Sequence, residues 1–545
     1  MLHIKNKAST RFYGILTVVL FLLNGQLAGQ KSLPRLDKWD AIHYDYRIEL
    51  TDVSNVIKGE ARLLFKLKQP AKTLTLDLQS PLKNGKGMKV DRVTLSKGAT
   101  ELDFRQEGQK LVIELPEGLK RAVGVTISYQ GIPQDGLIIG KNKYGERTIF
   151  ADNWPDRARH WIPCIDHPSD KASVRFTVIA PNHYQIISNG LLEEMTRLPG
   201  NRTNTVWEEK MPIPTKVMVI GLADFAVSHK GQVGCTDVSY WVYAKDRDKG
   251  FEDYAYAPRI LAFYQQKLGD YPYRKLANVQ SKTRYGGMEN ASCIFYSESS
   301  VNGKKNQEPL IAHEIAHQWF GNTVTEANWY DIWLSEGFAT YLTDLYLEHR
   351  YGREKLKERL RTQRKKVLRY QEHTTKPILD STVTNYNRLL TPNAYERGAW
   401  VLHMLRSMIG KDKFWEVLER YYHDYKYGNA HSTDFQAVAE NVTNLKLDWF
   451  FNQWLHYSAL PDVTWDWSQK DGKVHLAIRQ NQPGSVYILP IEVVFKDKKG
   501  LPAKHITINL TQRSKDFDFE VDTPVSEVVL DPNVQLLMRS KRRTH

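Results

Sequence analysis

Residues 313–322 read HEIAHQWFGN. Pro309 suits the first turn of a helix and Gly321 its end, so the stretch predicts a helix over residues 309–320. In that helix His313 and His317 stand one turn apart on one face. Two neutral imidazoles so placed converge on a single cation at about 2.0–2.1 Å, while Glu314, one position on, points beside the cation, where a general base would stand. Three uses of such a face are open: cutting peptides internally, trimming them from one end, or holding a metal for structure alone.

A second stretch narrows them. LSEGFATYL (Leu334–Leu342) places Glu336 near the start of another helix whose apolar positions, Phe338, Leu342 and Leu345, are spaced to pack on the first. Two histidines and a glutamate leave the fourth tetrahedral position free, the arrangement of a catalytic zinc; a structural site is normally closed by four ligands, often cysteines, and no cysteine lies near these helices. Upstream, RYGGMENASCIFY (Arg284–Tyr296) carries Gly286 and Gly287, which let the backbone run close beside a ligand, and then Glu289. By itself that segment reads equally well as a glycine-weakened edge strand with a surface acid.

The rest of the chain frames these motifs. Its 545 residues suffice for three or four cores, and the 41% hydrophobic and 25% charged fractions are those of a globular protein, neither disordered nor polytopic. The formal net charge is +14, but the densest basic run, Arg353–Arg369, carries glutamates at helical spacing and few aromatics, which reads as a solvated helix face; no nucleic-acid partner is expected. Lys5, Lys7 and Arg11 precede the apolar run Gly14–Leu23, and small residues follow in Leu27–Gln30, the layout of a secretory signal peptide cut near Ala28 or Gly29. The apolar run is too short to span a bilayer, so export to the periplasm or medium, with no membrane span in the mature chain, is the expectation. Three cysteines, Cys164, Cys235 and Cys293, allow at most one disulfide.

Period-two alternation dominates from Tyr44 to Phe225, helical periodicity from Gln232 to Leu460, and alternation again afterwards, with Asp471-Gly472 and Lys499-Gly500 as hairpin turns and a capping box at Thr433–Gln436. The organisation read from this is a signal peptide (1–29), an N-terminal antiparallel β domain (38–228), a mainly helical zinc domain (229–458) and a small β-sandwich (459–540).

GGMEN, then HEIAH, then Glu336, in that order and spacing, resemble the zinc aminopeptidase (gluzincin) family that includes the alanyl aminopeptidases and leukotriene hydrolases. RHWIPCIDHPSDKASVRFTV (Arg159–Val178) is similar to the family's N-terminal domain signature, and WFFNQWL (Trp449–Leu455) to the end of its catalytic domain. The resemblance implies a multidomain α+β protein with a thermolysin-like catalytic domain and one zinc per chain on His313, His317 and Glu336. It makes Glu314 the base, Glu289 the residue that holds a peptide's free α-amino group, and Tyr395 in NAYERGAWVL the donor to the oxyanion, with Gly286 and Gly287 beside the substrate. Met288 is a candidate for the side-chain pocket.

The sequence also departs from the family. Gly287 stands where alanine is commoner, as in the leukotriene-hydrolase branch, yet Asn387 and Leu390 replace the aspartate and tyrosine of that branch's epoxide chemistry. FADNWPDRAR offers Asp152 as a candidate for the amino-group site where the family usually has glutamate or glutamine. The chain ends after the sandwich, where many relatives continue into a large helical domain, and a more open cleft is expected. A thermolysin-type endopeptidase and a non-catalytic peptide-binding relative are the rival readings; the first has no use for Glu289, and the second need not keep both Glu314 and Tyr395.

Overall fold

The computed structural model describes residues 36–119 and 121–543; the expected signal peptide lies outside them. A seven-stranded sheet forms the body of the N-terminal unit, in the order Leu191–Leu198, Arg202–Pro214, Lys171–Pro181, Trp39–Glu49, Ile57–Leu67, Ala122–Ile132, Gly87–Leu95. It departs from the expected antiparallel pattern once, where Trp39–Glu49 and Lys171–Pro181 run parallel. Alternation sorts each strand: Tyr44, Tyr46 and Ile48 are buried, while His43, Asp45 and Arg47 between them face outward. The inner face packs through aromatic contacts such as Tyr46 on Phe176 (5.4 Å) and Phe176 on Trp161 (6.0 Å).

The middle unit carries nine helices among the described residues: α1 (Arg247–Asp253), α2 (Ala257–Leu268), α3 (Glu308–Ala316), α4 (Trp333–Tyr351), α5 (Arg353–Gln371), α6 (Gly398–Ile409), α7 (Lys411–Tyr425), α8 (Ser432–Thr443) and α9 (Asp448–Phe451). They pack beside a five-stranded mixed sheet, Phe225–Val233, Thr236–Tyr243, Lys275–Ser281, Cys293–Ser297, Gly287–Met288, whose first strand already starts at Phe225, ahead of the boundary read at residue 228. The cap of α8 falls two residues earlier than expected: its N-cap is His431, whose N–H donates to the Asp434 carboxylate (2.7 Å).

The final unit is the expected sandwich of a four-stranded and a three-stranded sheet. Its first hairpin closes with Lys470 paired to Lys473 across Asp471 (φ 47°) and Gly472 (φ 74°), the left-handed conformations a two-residue turn requires. All three cysteines are unbridged. No helix of the described residues is long and apolar enough to cross a membrane.

The N-terminal and middle units are joined by two lysines, the half-buried Lys171 and the buried Lys216. Lys171 Nζ donates to three carbonyls of the middle unit, Asn322 (3.2 Å), Thr323 (2.8 Å) and Gly428 (2.6 Å), and Lys216 pairs with Glu326 at 2.5 Å. Desolvation pulls the Lys171 pKa below the usual lysine value and Glu326 opposes it; the three carbonyls take all three N–H donors of the ammonium form.

Candidate active site

α3 is shorter than its sequence suggests. It ends at Ala316, and His317 closes it with its N–H donating to His313 O at 3.3 Å before two tight turns reach Gly321 (φ 120°). His313 and His317 nonetheless point to one place, with Nε2 atoms 3.1 Å apart. Glu336, in the first turn of α4, brings Oε2 to 3.2 Å from His317 Nε2 and 3.4 Å from His313 Nε2, and that buried oxygen makes no geometrically sound hydrogen bond. Ligands bonded to one zinc at 2.0–2.1 Å stand roughly 3.3 Å from each other in a tetrahedron, so the three atoms are spaced as edges around a single ion. Behind them, His317 Nδ1 faces Phe320 O (3.2 Å) and Ser335 Oγ (3.1 Å), which fixes the tautomer that turns the Nε2 lone pair inward. Gly321 makes this possible: a Cβ there would lie 2.4 Å from Ser335 Oγ and 3.0 Å from His317 Nδ1.

The electrostatics favour a cation. Burial opposes the charge on Glu336, but His317 and His313 hold its carboxyl below the ordinary range; burial likewise opposes protonation of His317, yet Glu336 and Glu289 raise it to about 9. Glu314 is driven well above the carboxylate range, by burial first and then by Glu289 and Glu336. Three buried carboxylates around two imidazoles, with ligand atoms that group within 4.8 Å as His313–His317–Glu336 and as Glu289–Glu314–His317, form a donor set that fits zinc.

Each of the other residues is placed by a local device. Gly287 and Met288 form the edge strand of the five-stranded sheet, and a Cβ on Gly287 would come within 2.4 Å of Glu314 Oε1, so Glu314 lies directly against this backbone. Gly286 is exposed, and its carbonyl accepts from Ser297 N–H (2.9 Å). Glu289 is 5% exposed, and its carbonyl accepts from Gln318 Nε2 (2.8 Å) and Asn322 Nδ2 (2.7 Å), which ties it to the end of α3. Tyr395 sits in a π-helical turn, Asn393–Arg397, ahead of α6, its ring stacked on that of His313 at 5.9 Å. Arg397 anchors this turn by donating to Trp454 O (3.2 Å) and Tyr457 O (2.6 Å).

Gly287, Met288, Glu289, Glu314, Tyr395 and the ligand triad line a narrow cavity of about 40 Å³, to which Gly286 does not contribute. Trp154, Tyr285 and Leu390 line it too. Asp152 does not: its oxygens are taken by Arg157 (2.8 Å) and by the Arg284 N–H (3.1 Å), so it braces the wall from behind. From the same segment, the residue that reaches the cavity is Trp154, packed edge-on against Tyr285 (5.8 Å) and Trp329 (5.9 Å).

A β-rich unit leaning on a helical unit, with HExxH on one helix and the third ligand early in the next, defines the metallohydrolases whose zinc is held by two histidines and a distal glutamate. The chain belongs to peptidase family M1: its residues 253–454 match the Peptidase family M1 domain and residues 40–217 the Peptidase M1 N-terminal domain. Among curated proteins it is 26% identical to the probable aminopeptidase 2 of Sulfurisphaera tokodaii over 74% of this chain and 53% of that protein. It is 26% identical to aminopeptidase M1-C of Oryza sativa subsp. japonica (81% and 52%) and 25% identical to the glutamyl aminopeptidase of Sus scrofa (77% and 47%). The chain thus spans about half the length of these relatives. The M1 zinc metallopeptidase of Deinococcus radiodurans, solved as a point mutant, shares the fold with a TM-score of 0.66 at 23% identity, over 78% of this chain and 96% of that one.

Proposed function

We propose that the protein is an exported zinc aminopeptidase that removes N-terminal residues from peptides. The observation that carries the reading is Glu289, a buried carboxylate on the wall of the same cavity as the ligand triad, with its oxygen within 4.8 Å of ligand atoms of Glu314 and His317. A carboxylate kept from water at that distance suits the ammonium group of a chain end. An enzyme that cuts within a chain needs this place for further residues.

His313, His317 and Glu336 would hold the zinc, which when bound supplies a Lewis acid to the scissile carbonyl and the attacking water. Glu314, pressed against the Gly287 backbone, takes the proton from that water and returns it to the leaving amine. Tyr395 donates its hydroxyl proton in a hydrogen bond to the oxyanion, and the Gly286-Gly287 backbone lies along the substrate. Trp154 and Tyr285 form apolar wall around the amino end, and Met288 borders the side-chain pocket. The expected substrates are peptides with a free N-terminus. Export is supported by the residue pattern of segment 1–29, and N-terminal sequencing of the mature protein tests it.

A matched pair of substrates tests the activity. Free-amine peptides should be trimmed and their N-acetylated forms should resist. Glu289→Ala should lower kcat/KM for the free amine by about 10-fold to 10²-fold, the equivalent of losing a charge-assisted contact of about 1.5–3 kcal/mol. Internal cleavage of blocked peptides as fast as trimming of free ones would replace this reading with the endopeptidase, and binding without turnover would replace it with a non-catalytic relative.

A further inference from the structure

α4 and α6 each end at a single glycine, Gly352 (φ 85°, ψ 174°) and Gly410 (φ 87°, ψ 161°), from which α5 and α7 start in a new direction. The two corners share a crevice of about 340 Å³ that the 531–537 segment of the sandwich closes with Asn533 and Gln535. Arg353, Lys357, Arg406 and Lys411 line it, over a floor formed by buried Leu356 and Leu360. Glu348 is the single carboxylate among the lining residues, and Arg406 already occupies it at 2.8 Å. Lys357 has Glu354 at 3.2 Å, whereas Arg353 and Lys411 have no carboxylate within 4.0 Å among the described residues.

Two of these cations are largely removed from water, the side chains of Arg406 and Lys357 being 12% and 15% exposed. Counting Glu348 and Glu354, the crevice keeps a net excess of two positive charges, on the exposed Arg353 and Lys411, and Arg406 Nε is a buried donor without a hydrogen-bond partner, so an anion sharing the space would meet both. The helix ends add to the same field. Neither α5 nor α7 has a side-chain cap at its N-terminus, and the residues that open them, Arg353 and Lys411, are the ones that line the crevice. Guanidinium forks and free helix N–H groups together match the several oxygens of a tetrahedral oxyanion, and the volume is that of a small-molecule site, too small for a polymer.

We propose that this crevice binds a small oxyanion of the phosphate class, either the free ion or a phosphomonoester. The site is separate from the zinc cavity and uses the first turns of the basic run Arg353–Arg369 that the sequence presents as a solvated face.

Calorimetric titration of the zinc-loaded protein with inorganic phosphate, at ionic strength balanced with chloride, tests it. Wild type should show saturable binding. The Arg353→Gln/Lys411→Gln double variant, which changes two exposed side chains, should bind about tenfold or more weakly while keeping its zinc and its hydrolytic rate. Competition by glycerol 3-phosphate assigns the site to a phosphomonoester, and failure to compete assigns it to the free ion. No saturable binding, or equal affinity in wild type and double variant as for phosphate held at the zinc cavity, overturns the proposal.

Discussion

Replacing Gly337 by alanine should break the active site without touching any group that does chemistry. α4 and α6 cross backbone to backbone at Gly337 and Gly398: a Cβ on residue 337 would lie 2.9 Å from both Cα and C of Gly398 and 3.2 Å from Ala394 O. Carbon contacts settle near 3.5–4.0 Å, so the helices must part by about 0.6–1 Å, and the obstructing atoms are backbone, which cannot swing aside. Glu336 immediately precedes the crossing on α4, and Tyr395 lies three residues ahead of it on the other chain segment, so ligand and oxyanion donor separate by a similar amount. Overpacking of this kind costs about 1–3 kcal/mol of stability, and a misplacement near 1 Å costs about 10² in rate. Turnover of an aminoacyl anilide, zinc per chain and thermal midpoint should be measured together. The expected result is a folded protein with kcat down about 10²-fold and weaker zinc retention. Gly140→Ala, at a position where a Cβ meets nothing within 4 Å, should behave as wild type. A Gly337→Ala enzyme with wild-type kcat and zinc affinity would refute the claim that the crossing sets the site.

Glu314→Gln should keep one zinc per chain and lose several orders of magnitude in kcat, because the amide keeps the shape but cannot accept the proton; metal analysis beside kinetics decides it. Tyr395→Phe should lower kcat by about 10²-fold to 10³-fold with a smaller change in KM, and an effect confined to KM would reassign the hydroxyl to substrate binding. Asp531, at the contact between the sandwich and α5, is pushed up to about 6, burial outweighing the backbone N–H of Gln535 and the Arg364 guanidinium. A raised acid binds its proton more tightly when folded, so its stabilising effect is full at low pH and fades as pH rises from about 4 through 6. Urea midpoints of wild type and Asp531→Asn across that window should show the wild type losing ground with rising pH, and parallel curves would contradict this.

The ligand triad was legible because its chemistry is written in local spacing: His313 and His317 by one helical turn, Glu336 by its place beside the apolar stripe of α4. Glu289 and Tyr395 needed the resemblance, since a strand-edge acid and a tyrosine at a helix start have structural uses as well. Trp154 escaped for a physical reason. Whether it or Asp152 faces the cavity depends on the path of residues 152–157, which the Arg157–Asp152 pair fixes within the segment and the Arg284 N–H fixes from 132 residues away. The end of α3 at Ala316 was hidden because the glycine taken as its stop, Gly321, serves instead to admit Ser335 beside His317. The pairing of Gly337 with Gly398 was also invisible, because each glycine looks merely tolerated in a helix until the partner helix is in place.

The lysine contact between the first two units bears on how such a protein can be divided. Lys171 saturates carbonyls in the turn that follows the ligand helix, and Asn322, in that same turn, holds the Glu289 backbone. A boundary that looks clean in hydrophobic periodicity therefore runs through the scaffolding of the amino-group site. Exchange of the first unit at that boundary would deliver a catalytic unit with unfilled acceptors next to its metal ligands, so the first unit is part of the frame that holds the site and not an appendage to it.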